Sequence, residues 1–347
     1  MERKRREKKL IYPKFIKQGS KIGVPAPSSG AYDELRVNRF NNAKQKLENL
    51  GYEIELSKNI NVSEKCRSAD AQTRADEINE MFQDPNINAI VCAAGGEFLV
   101  EILPYVDFNK MVQNPKWVQG FSDPTGLLFP LTTKYDIATL YGQNFGSYGA
   151  EQYDKSATDA LSILQGNIVE QENYELYEEE RAEMVTGLEG DNLTEKVEWK
   201  ILNANSVNVN GRIIGGCLDL IVELCGTKYD GVNSFIEKYK NDGIIWYFDN
   251  CELTLEELIR SLWKLNELGY FKNTNAIIFG RNGRGVTSSM EYTMEECLND
   301  SVISKLGVPI IYDADLSHKS PCLNIINGAI AKINVKDGKG TIAFELK

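Results

Sequence analysis

The stretch Ile87-Asn88-Ala89-Ile90-Val91-Cys92-Ala93-Ala94-Gly95-Gly96 is an almost unbroken apolar run closed by two glycines. A short run that is apolar at successive positions, on both faces of the pleat, fits a strand covered on both sides, as in a parallel sheet between helices. Its flanks agree. Ala75, Ile78, Met81 and Phe82 recur at helical spacing before it and stop at Asp84-Pro85. After it, Trp117-Val118-Gln119-Gly120-Phe121-Ser122-Asp123-Pro124 reads as a short strand meeting a helix that continues through Leu127, Leu128 and Leu131.

Upstream, Ile22-Gly23-Val24 reads as a first strand ending in Ala26-Pro27-Ser28-Ser29-Gly30. Phe40, Ala43, Leu47 and Leu50 mark a helix stopped at Gly51, and Tyr52, Ile54 and Leu56 alternate as a strand does. Residues 22–165 are therefore expected to form an α/β domain with a largely parallel sheet flanked by helices. Between 166 and 210 the periodicity weakens. Glu170 to Glu183 holds seven glutamates and one arginine, so this stretch reads as a solvated linker. A second β/α domain is expected over 211–347. It opens with Arg212-Ile213-Ile214-Gly215-Gly216-Cys217 and has strands at Ile244–Phe248, Ala276–Phe279 and Pro309–Tyr312. Leu255, Leu258, Ile259, Leu262, Leu265 and Leu268 mark a helix closed by Gly269, and the tail alternates through Ile330, Ile333, Val335, Ile342 and Phe344.

The 347 residues are 42% hydrophobic and 26% charged, ordinary for a soluble fold. No apolar run approaches the roughly 20 residues that span a bilayer. The net charge, 39 − 50 = −11, repels phosphate backbones and anionic lipid, so neither a nucleic-acid nor a membrane partner is expected. Residues 1–21 read as a solvated basic tail. Leu10-Ile11-Tyr12 is cut off by Pro13 and Lys14, which leaves no signal-peptide core and suggests a cytoplasmic protein. Seven widely spaced cysteines without a C-x-x-C pair write neither a disulfide framework nor a zinc site. No metal is expected. The glycines at 280, 283 and 285 match neither a dinucleotide fingerprint nor a P-loop, so no cofactor is expected either.

Chemistry concentrates at strand ends. Ser122 falls at a strand-to-helix corner, where a hydroxyl is exposed and the first helical N–H groups lie near a developing oxyanion. Gly120-Phe121-Ser122-Asp123-Pro124 matches only the first half of G-x-S-x-G, and an N-cap serine gives the same pattern. The single histidine, His318, stands in the polar loop Asp315-Leu316-Ser317-His318-Lys319-Ser320-Pro321, within reach of another strand's end as a general base, or as a surface histidine. Asp249 ends the strand Ile244–Phe248 at the edge where open α/β sheets place their sites. It could orient an imidazole or complement the next helix, and Glu252 is its rival for either role. Gly95-Gly96 allows close backbone approach, so an N–H there with that of Asp123 could form an oxyanion hole. A tight turn would require the same glycines.

Taken in order, these pieces resemble the serine peptidase family that includes LD-carboxypeptidases and the microcin C immunity peptidases. The resemblance runs over most of the chain. It is carried by Ile22–Ser29, by Ala94-Gly95-Gly96 with Leu103-Pro104-Tyr105-Val106-Asp107, by Gly120-Phe121-Ser122-Asp123, by Ile214-Gly215-Gly216 with Gly226-Thr227, by Asp249 with Cys251-Glu252-Leu253, and by His318 with Pro321. It implies Ser122 as nucleophile, His318 as base, and Asp249 where the family usually has glutamate. Gly96 and Asp123 would supply the oxyanion N–H groups.

The resemblance further implies a barrel-like C-terminal domain carrying acid and base, a site between the domains, and a homodimer. The expected activity is that of a cofactor-independent serine peptidase. An LD-carboxypeptidase releases the terminal D-amino acid of murein tetrapeptides, whereas an immunity-type enzyme cleaves an acyl-nucleotide amide. The expected partner is thus a small peptide or peptidyl-nucleotide. Relatives of the second kind stack a nucleobase on inter-domain aromatics. Here that stretch offers Tyr174 and Tyr177 and no tryptophan before Trp199, which leans toward murein. A catalytically silent ligand-binding protein on the same scaffold is the reading from another class.

Overall fold

Two open sheets with helices packed on them organise the computed structural model, which describes residues 9–283 and 285–347. The N-terminal half runs β1 (Lys21–Val24), α1 (Glu34–Asn49), β2 (Glu53–Leu56), α2 (Ala71–Gln83), β3 (Ile87–Val91), α3 (Phe108–Gln113), β4 (Trp117–Gly120), α4 (Thr125–Thr133), β5 (Thr139–Tyr141) and α5 (Lys155–Leu164). Four short strands follow: β6 (Gln171–Glu172), β7 (Leu176–Tyr177), β8 (Glu195–Lys196) and β9 (Lys200–Leu202). The C-terminal half opens with β10 (Ser206–Cys217), α6 (Leu218–Leu224), α7 (Val232–Lys238), β11 (Ile244–Asp249) and α8 (Leu255–Glu267). It continues with β12 (Thr274–Gly280), α9 (Met294–Asp300), β13 (Ile310–Ala314), β14 (Ile325–Asn327), β15 (Ile330–Lys336) and β16 (Lys339–Glu345).

The first sheet has the order β14-β5-β4-β3-β1-β2, parallel except for β14. β3 lies inside it with Ile87, Ala89, Ile90 and Val91 buried, as its apolar run demands. The flanking helices begin at side-chain caps: Asp33 accepts from Arg36 N at α1, and Asp70 from Thr73 N at α2. The second sheet has the order β6-β16-β15-β10-β11-β12-β13-β9, with β10 to β13 parallel and the outer strands antiparallel. It is a mixed sheet whose strand order runs from β6 to β9. α8 starts at a capping box between Thr254 and Glu257 and is followed by Gly269 at φ 79°.

Three features differ from the sequence reading. β14 leaves the C-terminal half to pair with β5 at the edge of the first sheet, so the chain crosses between sheets just after His318. The segment 166–210, expected as a linker, supplies the edge strands β6 and β9; Gln171 is buried and exchanges hydrogen bonds with the Asn324 backbone at 2.6 and 2.9 Å. Strands of two or three residues carry no readable period. Of the expected basic tail, residues 1–8 lie outside the described residues. From residue 10 the chain packs: Leu10 and Ile16 are buried, and Phe15 stacks on Trp117 with ring centroids 5.7 Å apart. Among the described residues no helix is long and apolar enough to cross a membrane.

Candidate active site

β4 ends at Gly120, and the chain turns sharply into α4. A side chain at 120 would bring its Cβ to 2.6 Å from Pro124 Cβ, so the proline seals the turn against the glycine. Ser122 sits in this turn at φ 69°, a left-handed conformation uncommon for a non-glycine residue, and strain of this kind is characteristic of functional sites. Asn144 holds the preceding residue at both ends. Its Oδ1 accepts from Phe121 N and its Nδ2 donates to Phe121 O, each at 3.0 Å.

The loop bearing His318 spans the gap between β13 in one sheet and β14 in the other. Asp315 anchors it. That buried carboxylate meets Arg281 at 2.6 Å and accepts from Trp199 Nε1 at 2.9 Å, while the backbone carbonyl of Asp315 accepts from Leu323 N at 2.7 Å. Burial pushes Asp315 upward and the Arg281 guanidinium pulls it back. On the outer side, Glu178 N donates to Ser320 O at 2.7 Å and Lys319 pairs with Glu179 at 2.6 Å.

These two loops bring the sequence-selected residues together. His318 Nε2 lies 2.8 Å from Ser122 Oγ, and His318 Nδ1 lies 2.9 Å from Asp249 Oδ1. Asp249 is fully buried at the end of β11. Burial disfavours an imidazolium here, but the adjacent Asp249 carboxylate outweighs it and holds His318 above its ordinary value. The ring of Phe121 covers the imidazole at 4.7 Å between centroids, and the nearby Cys251 thiol adds to the rise.

The rival acid is placed elsewhere. Glu252 is exposed, and its backbone N–H donates to Asp219. Gly95, more than Gly96, faces the serine; Gly96 packs on Ser28 and Ser29. Among the described residues the backbone N–H groups of Gly96 and Asp123 donate to no protein acceptor, as an oxyanion hole requires. The Asp123 side chain is buried, accepts from Ser28 Oγ and from Leu99 N at 2.9 Å, and so ties the loop after β3 to the serine turn. The rim is acidic. Burial, followed by the charges of Glu252, Asp123, Asp219 and Glu223, raises Glu97.

Tyr177 lies under the Arg281 guanidinium at 4.3 Å, and Tyr174 packs against the core. Sequence reasoning missed Asn144 and Tyr141, whose hydroxyl donates to Asp249 Oδ2 at 2.7 Å. Tyr141 ends β5 beside the end of β4 that carries the serine turn, so the strand-end rule that selected Asp249 in the other sheet also covers it. Among the described residues no group of three or more His, Cys, Asp or Glu side chains is placed to hold a metal ion.

Comparison with known proteins decides the family. Residues 22–142 match the model of the LD-carboxypeptidase N-terminal domain of peptidase family S66, and residues 210–333 match that of the C-terminal domain. The chain belongs to the S66 peptidase family. A putative carboxypeptidase of Vibrio cholerae is 28% identical, with 97% of this chain and 96% of that one covered. The microcin C7 self-immunity protein MccF of Escherichia coli is 27% identical over 88% of each chain. The crystal structure of an MccF-like protein from Bacillus anthracis superposes with a TM-score of 0.79 at 25% identity, covering 97% of this chain and all of the other. As an S66 member the chain is an enzyme of the serine carboxypeptidase type, on the mixed α/β fold that these structures share.

Proposed function

We propose that this S66 enzyme is an LD-carboxypeptidase that releases the terminal D-amino acid from murein tetrapeptides through a Ser122–His318–Asp249 triad. The N-terminal half (22–165) supplies the nucleophile and the C-terminal half (211–347) the acid and base. The observation that carries the reading is the unbroken chain of contacts Ser122 Oγ–His318 Nε2–His318 Nδ1–Asp249, at 2.8 and 2.9 Å. Ser122 Oγ attacks the scissile carbonyl while His318 Nε2 takes its proton. Asp249 accepts the Nδ1–H bond, which fixes the tautomer and stabilises the imidazolium. The N–H groups of Gly96 and Asp123 hold the oxyanion. Collapse breaks the C–N bond, and the departing D-amino acid leaves with the proton from His318. Water, deprotonated by His318, then hydrolyses the acyl-enzyme and regenerates Ser122.

The murein substrate is favoured by the inter-domain tyrosines. Arg281 covers one face of Tyr177 and Tyr174 packs against the core, so neither resembles an open platform for a nucleobase. The likeness to MccF favours the second reading, cleavage of an acyl-nucleotide amide. Mass spectrometry of wild type and Ser122→Ala on a murein tetrapeptide and an acyl-sulfamoyl-adenosine separates the two. D-alanine released by wild type alone supports the carboxypeptidase. Cleavage of the nucleotide conjugate alone transfers the assignment, and silence on both moves it to a ligand-binding role.

A further inference from the structure

The buried Asp249 carboxylate has two oxygens to satisfy, and the imidazole occupies one. The other accepts from the Tyr141 hydroxyl at 2.7 Å. Tyr141 comes from the opposite half of the protein, at the end of β5, where it is in register with Gly120 immediately before the serine turn. The same hydroxyl lies 3.5 Å from Ser122 N. One phenol therefore touches both the acid and the backbone of the serine. Burial and the charge of Asp249 keep it neutral, so it remains a donor.

We propose that Tyr141 is a positioning residue for the triad: its hydroxyl fixes the plane of the Asp249 carboxylate and registers the acid-bearing half against the nucleophile-bearing half. This rests on the triad reading above. A carboxylate held at one oxygen is free to rotate about its Cβ–Cγ bond, and its imidazole partner rotates with it. A carboxylate held at both oxygens aims Nε2 at Ser122. An unpaired buried carboxylate oxygen also raises the proton affinity of the Asp249–His318 pair, because a donor that stabilised the anion has gone.

Tyr141→Phe removes the hydroxyl and keeps the ring, which packs on Phe121 and Tyr247 at 5.0 and 5.6 Å. His318 is the only histidine in the chain, so histidine-labelled protein gives a single imidazole whose titration is read by NMR without any substrate. The expected result is a kcat lowered about 10–100-fold with KM within about twofold, and a His318 midpoint displaced upward by about half a pH unit or more. Tyr247→Phe is the control. Its hydroxyl bonds to Asn327 at 3.1 Å, so it deletes a buried phenol in the same cluster without touching the acid, and the midpoint should stay in place.

An unmoved midpoint in Tyr141→Phe, or an equal displacement in Tyr247→Phe, overturns the proposal. Failure of the triad reading looks different. In that case Asp249→Asn leaves the His318 titration unchanged, whereas a titration that responds to Asp249→Asn and ignores Tyr141→Phe removes only the role of Tyr141.

Discussion

Gly95 stands so close to Ser122 that a methyl group on it would lie 3.1 Å from the serine Cβ and 3.2 Å from its Oγ. The position needs no unusual backbone angle, so alanine is acceptable to the main chain and objectionable only to the nucleophile. Gly95→Ala should leave the melting temperature within a few degrees of wild type while lowering kcat by about tenfold or more, because a small displacement of an attacking atom is costly. A variant with undiminished kcat would mean that the serine turn has slack the structure does not show.

Asp249 and Glu252 were rivals by sequence, and the structure gives only Asp249 a place against Nδ1 of His318. Asp249→Asn should therefore cost on the order of 10⁴ in kcat, since the amide reverses the donor pattern and favours the wrong tautomer. Glu252→Gln, at an exposed carboxylate, should fall within a few-fold of wild type. Steady-state kinetics on the two purified variants decides it, and the opposite ranking would reassign the acid.

The candidate site was legible in the sequence where a residue stood at the end of an apolar strand or was the single residue of its type. Ser122 follows β4 and Asp249 ends β11, while His318 announced itself by being single; all three lie where open α/β sheets expose their strand ends. What escaped notice depended on short or irregular segments. β14, with three residues, and β6, with two, have too little length to show alternation, so the crossing that carries His318 over Ser122 could not be read from the chain. Gln171 is polar and lies in a glutamate-rich stretch, yet it is buried because its amide matches the Asn324 backbone, a pairing 153 residues apart. Asn144 and Tyr141 act through hydrogen bonds, which leave no trace in hydrophobic periodicity.

Asp191 offers a test of the loop that braces the histidine. Burial first, and then the charges of Asp154 and Glu178, push its carboxyl up to about 6, while Arg39 and Ser320 oppose the rise. A carboxyl with a raised folded value binds its proton more readily in the native state, so ionisation there costs stability as pH rises from about 4 to 6 and above. Asp191→Asn should raise the melting temperature at pH 7–8 by a degree or more and make no difference near pH 4. Equal melting at both pH values would show that the carboxylate is better solvated than its surroundings imply.

His318 should make activity and stability move in opposite directions. As a base it must be neutral, so kcat/KM should rise with pH through its folded value, which the Asp249 carboxylate holds above the ordinary imidazole value of about 6.5. As a cation it pairs with Asp249. That contribution to stability is fully present below the unfolded value of about 6.5 and is lost as pH rises through the higher folded one. The difference in melting temperature between wild type and His318→Gln, measured at a series of pH values, isolates this group from every other titration. It should be largest on the acid side and shrink across the same interval in which wild-type kcat/KM climbs. If the difference instead grew with pH, the imidazole would be held neutral by burial and the pairing with Asp249 would be too weak to charge it.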